Sequence, residues 1–357
     1  YRILPAPHFL IKDSKIFKSD ENKSDTFADI KNLRVFISQK NFFDKEKADL
    51  KYITIDDANF SLLSNDLKLL KNNATKKFSN KKIEVNKSNI FFKDSLKKTI
   101  AIIKVSKAFL ILDDKNSLNM FNLRGNVFNM PLIFNYKKKF DYSNREEINI
   151  TSKALKLNIS DIYNKQENNF NDRKNIISLL NSKIMTTYKI NDDIVVFNSS
   201  SSKINNTKIN YNGQLSINPF DLNLNINISN YDLFNLLNIN SVLKELIKTE
   251  LLFNDNINIS TSINTSPSLK EKIFQKAKIN FNIMNGKINF DKTSFINKKI
   301  GYLELDNSNL FFKNAKLILN TDIKISINNT DNFFSLFQTN KKFRKPIKNI
   351  LINLNYD

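Results

Sequence analysis

Residues 222–228 read LNLNINI, so Leu222, Leu224, Ile226 and Ile228 fall on one face of an extended segment and asparagines take the other. No helix places residues that way, because period two matches only a strand with one buried face. Residues 279–283 (INFNI) repeat the pattern, and so do residues 323–327 (IKISI), where Ile323, Ile325 and Ile327 alternate with Lys324 and Ser326. Shorter pieces occur at Leu33/Val35/Ile37, Ile53/Ile55, Ile83/Val85, Ile90/Phe92, Ile148/Ile150, Leu155/Leu157/Ile159 and Ile257/Ile259. The alternation predicts roughly 16–18 strands of about 4–8 residues. It predicts sheets that are apolar on one side and polar on the other, in the antiparallel style.

Turn residues agree. Asn285-Gly286 is a strong hairpin signal, and a two-residue turn there sets Ile283 opposite Ile288 and Phe281 opposite Phe290. At Asn212-Gly213 a two-residue turn pairs Asn210 with Leu215, so a bulged three-residue loop pairing Tyr211 with Leu215 is expected instead. A weak repeat is also present. Gly125 precedes Pro131 by six residues and Gly213 precedes Pro219 by six, and each proline opens an apolar alternation. Two strands joined at a kink fit that unit.

Helical spacing is local. Short helices are expected near 173–185, 231–252 and 331–338, with Asp232 and Asp331 as caps for the last two. Residues 66–71 fit one further helical turn. The polar stretch 160–173 is the best place for a boundary, giving an N-terminal β-rich part, 1–160, and a C-terminal one, 161–357, or one continuous domain.

Composition excludes whole classes of chemistry. The chain has no Cys, which removes disulfides, thiolate metal sites and thiol catalysis. One His and 4 Gly leave no material for a His-rich metal site or a glycine-rich phosphate loop. Asn makes up roughly one residue in six against about one in twenty-five in ordinary proteins. An AT-rich coding sequence accounts for that excess and spreads lysine evenly, so the net charge of +21 is not by itself a nucleic-acid footprint.

The remaining candidates for chemistry read as structure. His8 lies between prolines and a strand with no partner indicated. The carboxylate pairs Asp56/Asp57, Asp113/Asp114, Glu146/Glu147 and Asp192/Asp193 end apolar runs, where turns belong. No alternating acids with a Gly form a calcium loop. The basic clusters are Lys97/Lys98, Lys137–Lys139 and residues 341–348 (KKFRKPIK). They read as solvated loops, with anionic headgroup contact ahead of nucleic acid as the functional option. No enzyme activity and no cofactor are expected. No run of 18 apolar residues occurs, so no transmembrane helix is expected within residues 1–357.

Several stretches together resemble the AsmA-like family of envelope proteins, relatives of TamB-type periplasmic proteins. Residues 3–16 (ILPAPHFLIKDSKI) resemble that family's first extracytoplasmic strand. Ala28, Ile30, Leu33, Val35 and Ile37, followed by Phe42/Phe43 and then Ile53, Ile55, Ala58, Phe60 and Leu62, resemble its next block. The Gly125–Phe134 and Gly213–Leu224 units look like its recurrent strand pairs. Residues 331–350, with Arg344-Lys345, are similar to its late amphipathic segment. The resemblance implies a long, twisted, largely antiparallel sheet curved into an open groove, with a few short helices. It also implies a periplasmic location, tethered to the inner membrane by an anchor outside these residues.

The function implied is conduction or binding of phospholipids between inner and outer membranes, in support of outer-membrane assembly. Phospholipids, the inner membrane and other outer-membrane or periplasmic proteins are then the partners, and nucleic acid is not. The groove candidates are Leu222, Leu224, Ile226, Ile228, Ile279, Phe281, Ile283, Ile323, Ile325 and Ile327. The headgroup candidates are Lys341, Lys342, Arg344 and Lys345. Physics makes the groove reasonable, because one-faced strands in this number expose more apolar sheet than a few short helices can cover. The alternative is a non-catalytic β-sandwich or adhesin-like module with a dry core. A membrane barrel wants longer strands and aromatic girdles, and fits less well.

Overall fold

A computed structural model describes residues 6–18, 26–38, 50–63, 66, 81–113, 118–139, 145–164, 173–179, 182–191, 193–199, 201–204, 207–231, 247, 251–267 and 273–356. The protein is mainly β, as the alternation predicts, with twenty-two strands among the described residues in a large mixed sheet. The chain divides into two compact units. The first holds residues 1–180 and 217–219, and the second holds 181–216 and 220–357. The division falls after Leu180, beyond the polar stretch 160–173.

The first unit is a ten-strand ladder in sequence order. Its strands are β1 (His8–Phe17), β2 (Thr26–Ile37), β3 (Leu50–Leu63), β4 (Lys81–Lys93), β5 (Thr99–Asp113), β6 (Leu118–Val127), β7 (Met130–Lys139), β8 (Arg145–Ser152), β9 (Leu157–Asn164) and β10 (Arg173–Leu179). Each neighbouring pair is antiparallel except β3 and β4, which run parallel.

Several strands are much longer than the alternation indicates, reaching 15 residues in β5. A kink inside the strand is the cause. Asp13, Asp57 and Lys87 take left-handed φ values of 50°, 55° and 47°. Across the ladder, the pairing of β1 with β2 skips Asp13 and Lys31, and that of β2 with β3 skips Lys31 and Asp57. The extra residue resets the alternation, so Ile30 and Leu33, or Ile55 and Ala58, share a face at a spacing of three. A period-two scan therefore splits one strand into two.

The kinks leave backbone groups without ladder partners, and buried hydroxyls supply them. Ser88 Oγ accepts the Ala58 N–H at 3.0 Å and donates to the Asn86 carbonyl at 2.8 Å. Ser88 is 2% exposed, so neither group has water as a substitute. In the second unit Ser202 serves the N–H and carbonyl of Met185. Thr265 does the same for Ala277, and Thr293 for Asn280. Ser308 sits beside the left-handed Asn307, donates to the Asp306 carbonyl and meets the Thr321 hydroxyl.

The second unit contains β11 (Ser182–Asn191), β12 (Ile194–Ser199), β13 (Ser202–Ile204), β14 (Thr207–Ile217), β15 (Phe220–Tyr231), β16 (Asn258–Pro267), β17 (Lys276–Met284), β18 (Lys287–Asn289), β19 (Thr293–Asn297), β20 (Gly301–Lys313), β21 (Lys316–Ile327) and β22 (Asn349–Tyr356). β15 and β16 are parallel, and the other ladders described in this unit are antiparallel. A short helix, α1 (Thr330–Leu336), and a 3-10 turn, Lys341–Phe343, connect β21 to β22.

Local expectations fare unevenly. The Asn285-Gly286 turn is present, with φ of 53° and 65°, and Ile283 pairs with Ile288. The expected helix over 173–185 is corrected: Arg173–Leu179 and Ser182–Asn191 are strands. Pairing with β9, including Ile177 opposite Ile159, satisfies this backbone and outweighs a few residues of helical spacing. The bulged turn at Asn212-Gly213 is also corrected, since both residues lie inside β14. There the Asn223 carbonyl and the Phe197 ring occupy the space a Cβ would need. Glycine answers a close approach at this position and makes no turn.

The helix near 331–338 is present, but Asn329 caps it, accepting the Asn332 N–H at 2.9 Å, and Asp331 lies in the first turn. Of the helix expected over 231–252, Ile247 is helical and Leu251–Phe253 is a 3-10 turn. Asp232 and the rest of its middle lie outside the described residues. So does the helical turn expected over 66–71, apart from a helical Asp66.

Candidate functional site: a continuous apolar face

The register of the first unit carries one apolar row across all ten strands. Ile11 pairs with Leu33, Leu33 with Ile55, Ile55 with Val85, Val85 with Ala108, and Ala108 with Leu123. Leu123 pairs with Phe134, Phe134 with Ile150, Ile150 with Ile159, and Ile159 with Ile177. Directly opposed residues share a face, so these ten side chains form an unbroken line. At roughly 4.8 Å between strands the line runs for about 43 Å.

Beyond the kink a second row runs Ile16–Ala28–Phe60–Ile90–Ile103–Val127–Met130. The opposite face is polar along Lys12–Asn32–Asp56–Asn86–Lys107–Arg124. There Asn86 Nδ2 donates to Asp56 at 3.1 Å, and Arg34 pairs with Asp56 at 3.2 Å.

Two core clusters lie on the apolar face and share Val85. One centres on Ala28, Ile30, Ile55 and Ala58, and the other on Val105, Ala108 and Leu123. Every member of both clusters belongs to β2–β7. Among the described residues the members of these clusters pack strand against neighbouring strand. Side chains near the kink are fully buried, while Leu33, Phe134, Ile150, Ile159 and Ile177 are half-buried.

Charge borders this face at one margin. Lys138 and Glu146 are directly opposed, with Nζ 2.7 Å from the carboxylate. Arg173 reaches the same carboxylate at 3.3 Å and lies 4.5 Å from the Tyr163 ring centroid. Next to this cluster, burial pushes the Tyr136 hydroxyl up to about 12, helped by the Glu146 charge and opposed by Arg173.

In the second unit the ten groove candidates fall on one face. Leu222 pairs with Ile259 and that with Ile283, and Ile226 with Ile263 and that with Ile279. Leu224 reaches Phe281 through Thr261. Ile228 leads through Thr265 and Ala277 to Phe295, Leu303 and Ile325. Ile323 pairs with Leu305 and Ile327 with Gly301. Part of this face has its own cover: Leu252, with Phe253 and Ile247, packs on Ile283 and Ile288, each 1% exposed.

Sequence reasoning missed the whole row of the first unit as a site. Its fragments were visible, at Ile53/Ile55, Ile83/Val85 and Ile148/Ile150, but the register that aligns them was not. His8 is a structural side chain, stacked 4.8 Å from Phe36 with Nδ1 2.7 Å from the Ala6 carbonyl. Among the described residues no three His, Asp or Glu side chains form a metal-binding group, and no helix is long and apolar enough to cross a membrane.

The four headgroup candidates, Lys341, Lys342, Arg344 and Lys345, lie together in the connection between β21 and β22. No family model matches the chain, and no curated protein matches it. Among solved structures, a sex pheromone staph-cAM373 precursor is similar over 78% of this chain and 82% of its own, at 11% identity and a TM-score of 0.14. A likeness at that score carries no argument about fold or function.

Proposed function

We propose that the apolar face binds phospholipid acyl chains and lets them move along the sheet. The chain would then be an AsmA-like envelope protein, working between the inner and outer membranes. The observation that supports this is the ten-residue row from Ile11 to Ile177. Each methylene removed from water contributes about 0.8 kcal/mol. A row with no polar interruption keeps that term nearly constant from strand to strand, so a lipid can advance without a large barrier. The charged margin around Glu146 and the polar row Lys12–Arg124 on the opposite face keep water and headgroups to the side. The role needs no catalytic residue.

A second reading, a dry structural module, is favoured by the cover over Ile283 and Ile288. Photoreactive residues at Phe134, Ile159, Leu224 and Phe281 separate the two in living cells. Lipid adducts at these positions, and none at Asn122 or Asn149 on the polar face, are the expected result. An absence of adducts at all four inner positions would overturn the conduit and leave the dry module.

A further inference from the structure

We propose that residues 330–348, between β21 and β22, form a docking surface for an anionic lipid bilayer. Leu336, Phe337 and Phe343 are 43%, 63% and 65% exposed in this short segment. Lys341, Lys342, Arg344, Lys345 and Lys348 crowd the same stretch. Large apolar tips beside a dense group of cations match the two layers of a bilayer surface, acyl boundary and anionic headgroups.

The segment is held in shape by its own contacts. Phe334 is buried, and the Phe333 ring packs against both Phe334 and Phe337. Asn332 donates to the Lys299 carbonyl at 3.1 Å, and Thr330 to the Ile347 carbonyl at 3.2 Å. Arg344 braces the loop from inside. Its Nε donates to the Thr339 carbonyl at 3.0 Å, and its Nη1 lies 4.0 Å from Asp331. Arg344 is therefore a positioning residue, and the four lysines are the headgroup contacts.

A bilayer fits better than nucleic acid. Leu336 offers no flat face for stacking a base, yet it is exposed with the two phenylalanines. The inference deepens the lipid-conduit reading by naming the surface where lipid is collected, and rests on it only for that purpose. Docking is scored without transfer, so the two fail separately.

The test uses the full chain. It contains no Trp, so Phe337→Trp supplies a single fluorescent reporter. Vesicles of phosphatidylcholine with about 30% phosphatidylglycerol should blue-shift that Trp, and pure phosphatidylcholine should not. Replacing Lys341, Lys342, Lys345 and Lys348 by Gln should weaken co-sedimentation by about 100-fold or more, since each cation near the surface is worth roughly fivefold. The same replacement at the exposed Lys153, Lys156, Lys174 and Lys183 should cost less than about tenfold, because none of these belongs to the 330–348 segment that carries the apolar tips.

Thermal melts confirm that each variant is folded, and Phe343→Trp substitutes if Phe337→Trp is not. An unshifted Trp overturns the proposal. So does an equal loss in the control variant, or capture of single-stranded DNA through the same lysines without any vesicle response.

Discussion

The Ser88 hydroxyl accepts the backbone N–H of Ala58 at 3.0 Å, across the point where β3 and β4 both kink. Removing it leaves a buried donor with no partner. Ser88→Ala should destabilise the protein by about 1–3 kcal/mol, and Asn59→Ala on the polar face by under about 0.5 kcal/mol. Urea unfolding checks this; equal midpoints for the two variants would deny the hydroxyl its role.

Gly125 and Gly213 sit inside strands. A Cβ at Gly125 would meet the Lys104 carbonyl, and one at Gly213 the Asn223 carbonyl and the Phe197 ring. Backbone cannot move aside as a flexible side chain does. Gly125→Ala and Gly213→Ala should each cost about 1–3 kcal/mol. A melting temperature unchanged in either variant would show that the strands can separate freely there.

Tyr136 gives the protein an alkaline limb. Its folded pKa of about 12 exceeds the ordinary 10.0, so above pH 10 the unfolded chain loses this proton first. Stability from this group is complete below pH 10, falls as pH rises, and is gone above about pH 12. Tyr136→Phe should flatten that part of the curve. The chain has 10 Tyr, so the absorbance titration of the variant is subtracted from that of the parent. A difference curve centred at pH 10 would contradict the burial.

Glu84 acts at the acid end. Its hydrogen bond with Lys107, then that with Lys82, each at 3.0 Å, holds its carboxyl below the ordinary 4.5. The contribution is present above pH 4.5 and is lost as pH falls through the lowered value. Both lysines are solvent-exposed and their charges are screened, so Glu84→Gln should shift acid unfolding only slightly, and less in high salt. A salt-independent shift would argue against an ion pair.

Ile150 sits mid-row, between Phe134 and Ile159. Ile150→Asn places an amide in the apolar line at a half-buried position. Lipid adducts captured at Ile159 should fall several-fold, while circular dichroism stays that of a folded sheet and stability drops by about 1–3 kcal/mol. Unchanged capture would mean that the row is not the path.

Which side of a strand is greasy is local information, because successive side chains alternate whatever the neighbours do. Leu222, Leu224, Ile226 and Ile228 therefore declared their common face in the sequence, as did Ile323, Ile325 and Ile327, and the Asn285-Gly286 turn declared its own register. Three other matters depend on distant residues, and only the tertiary structure decided them.

One is the phase reset at Asp13, Asp57 and Lys87, which joins two apparent strands into one. It is held by a hydroxyl from the adjacent strand, as with Ser88 and Ala58. The second is the identity of 173–179 as a strand, chosen by pairing with β9 over the local helical spacing. The third is what lies on the apolar face. Leu252 packs on Ile283 in the second unit, while the two clusters of the first unit are built, among the described residues, from neighbouring strands of one ladder. Alternation specifies a surface, but register and cover belong to contacts between residues far apart in the chain.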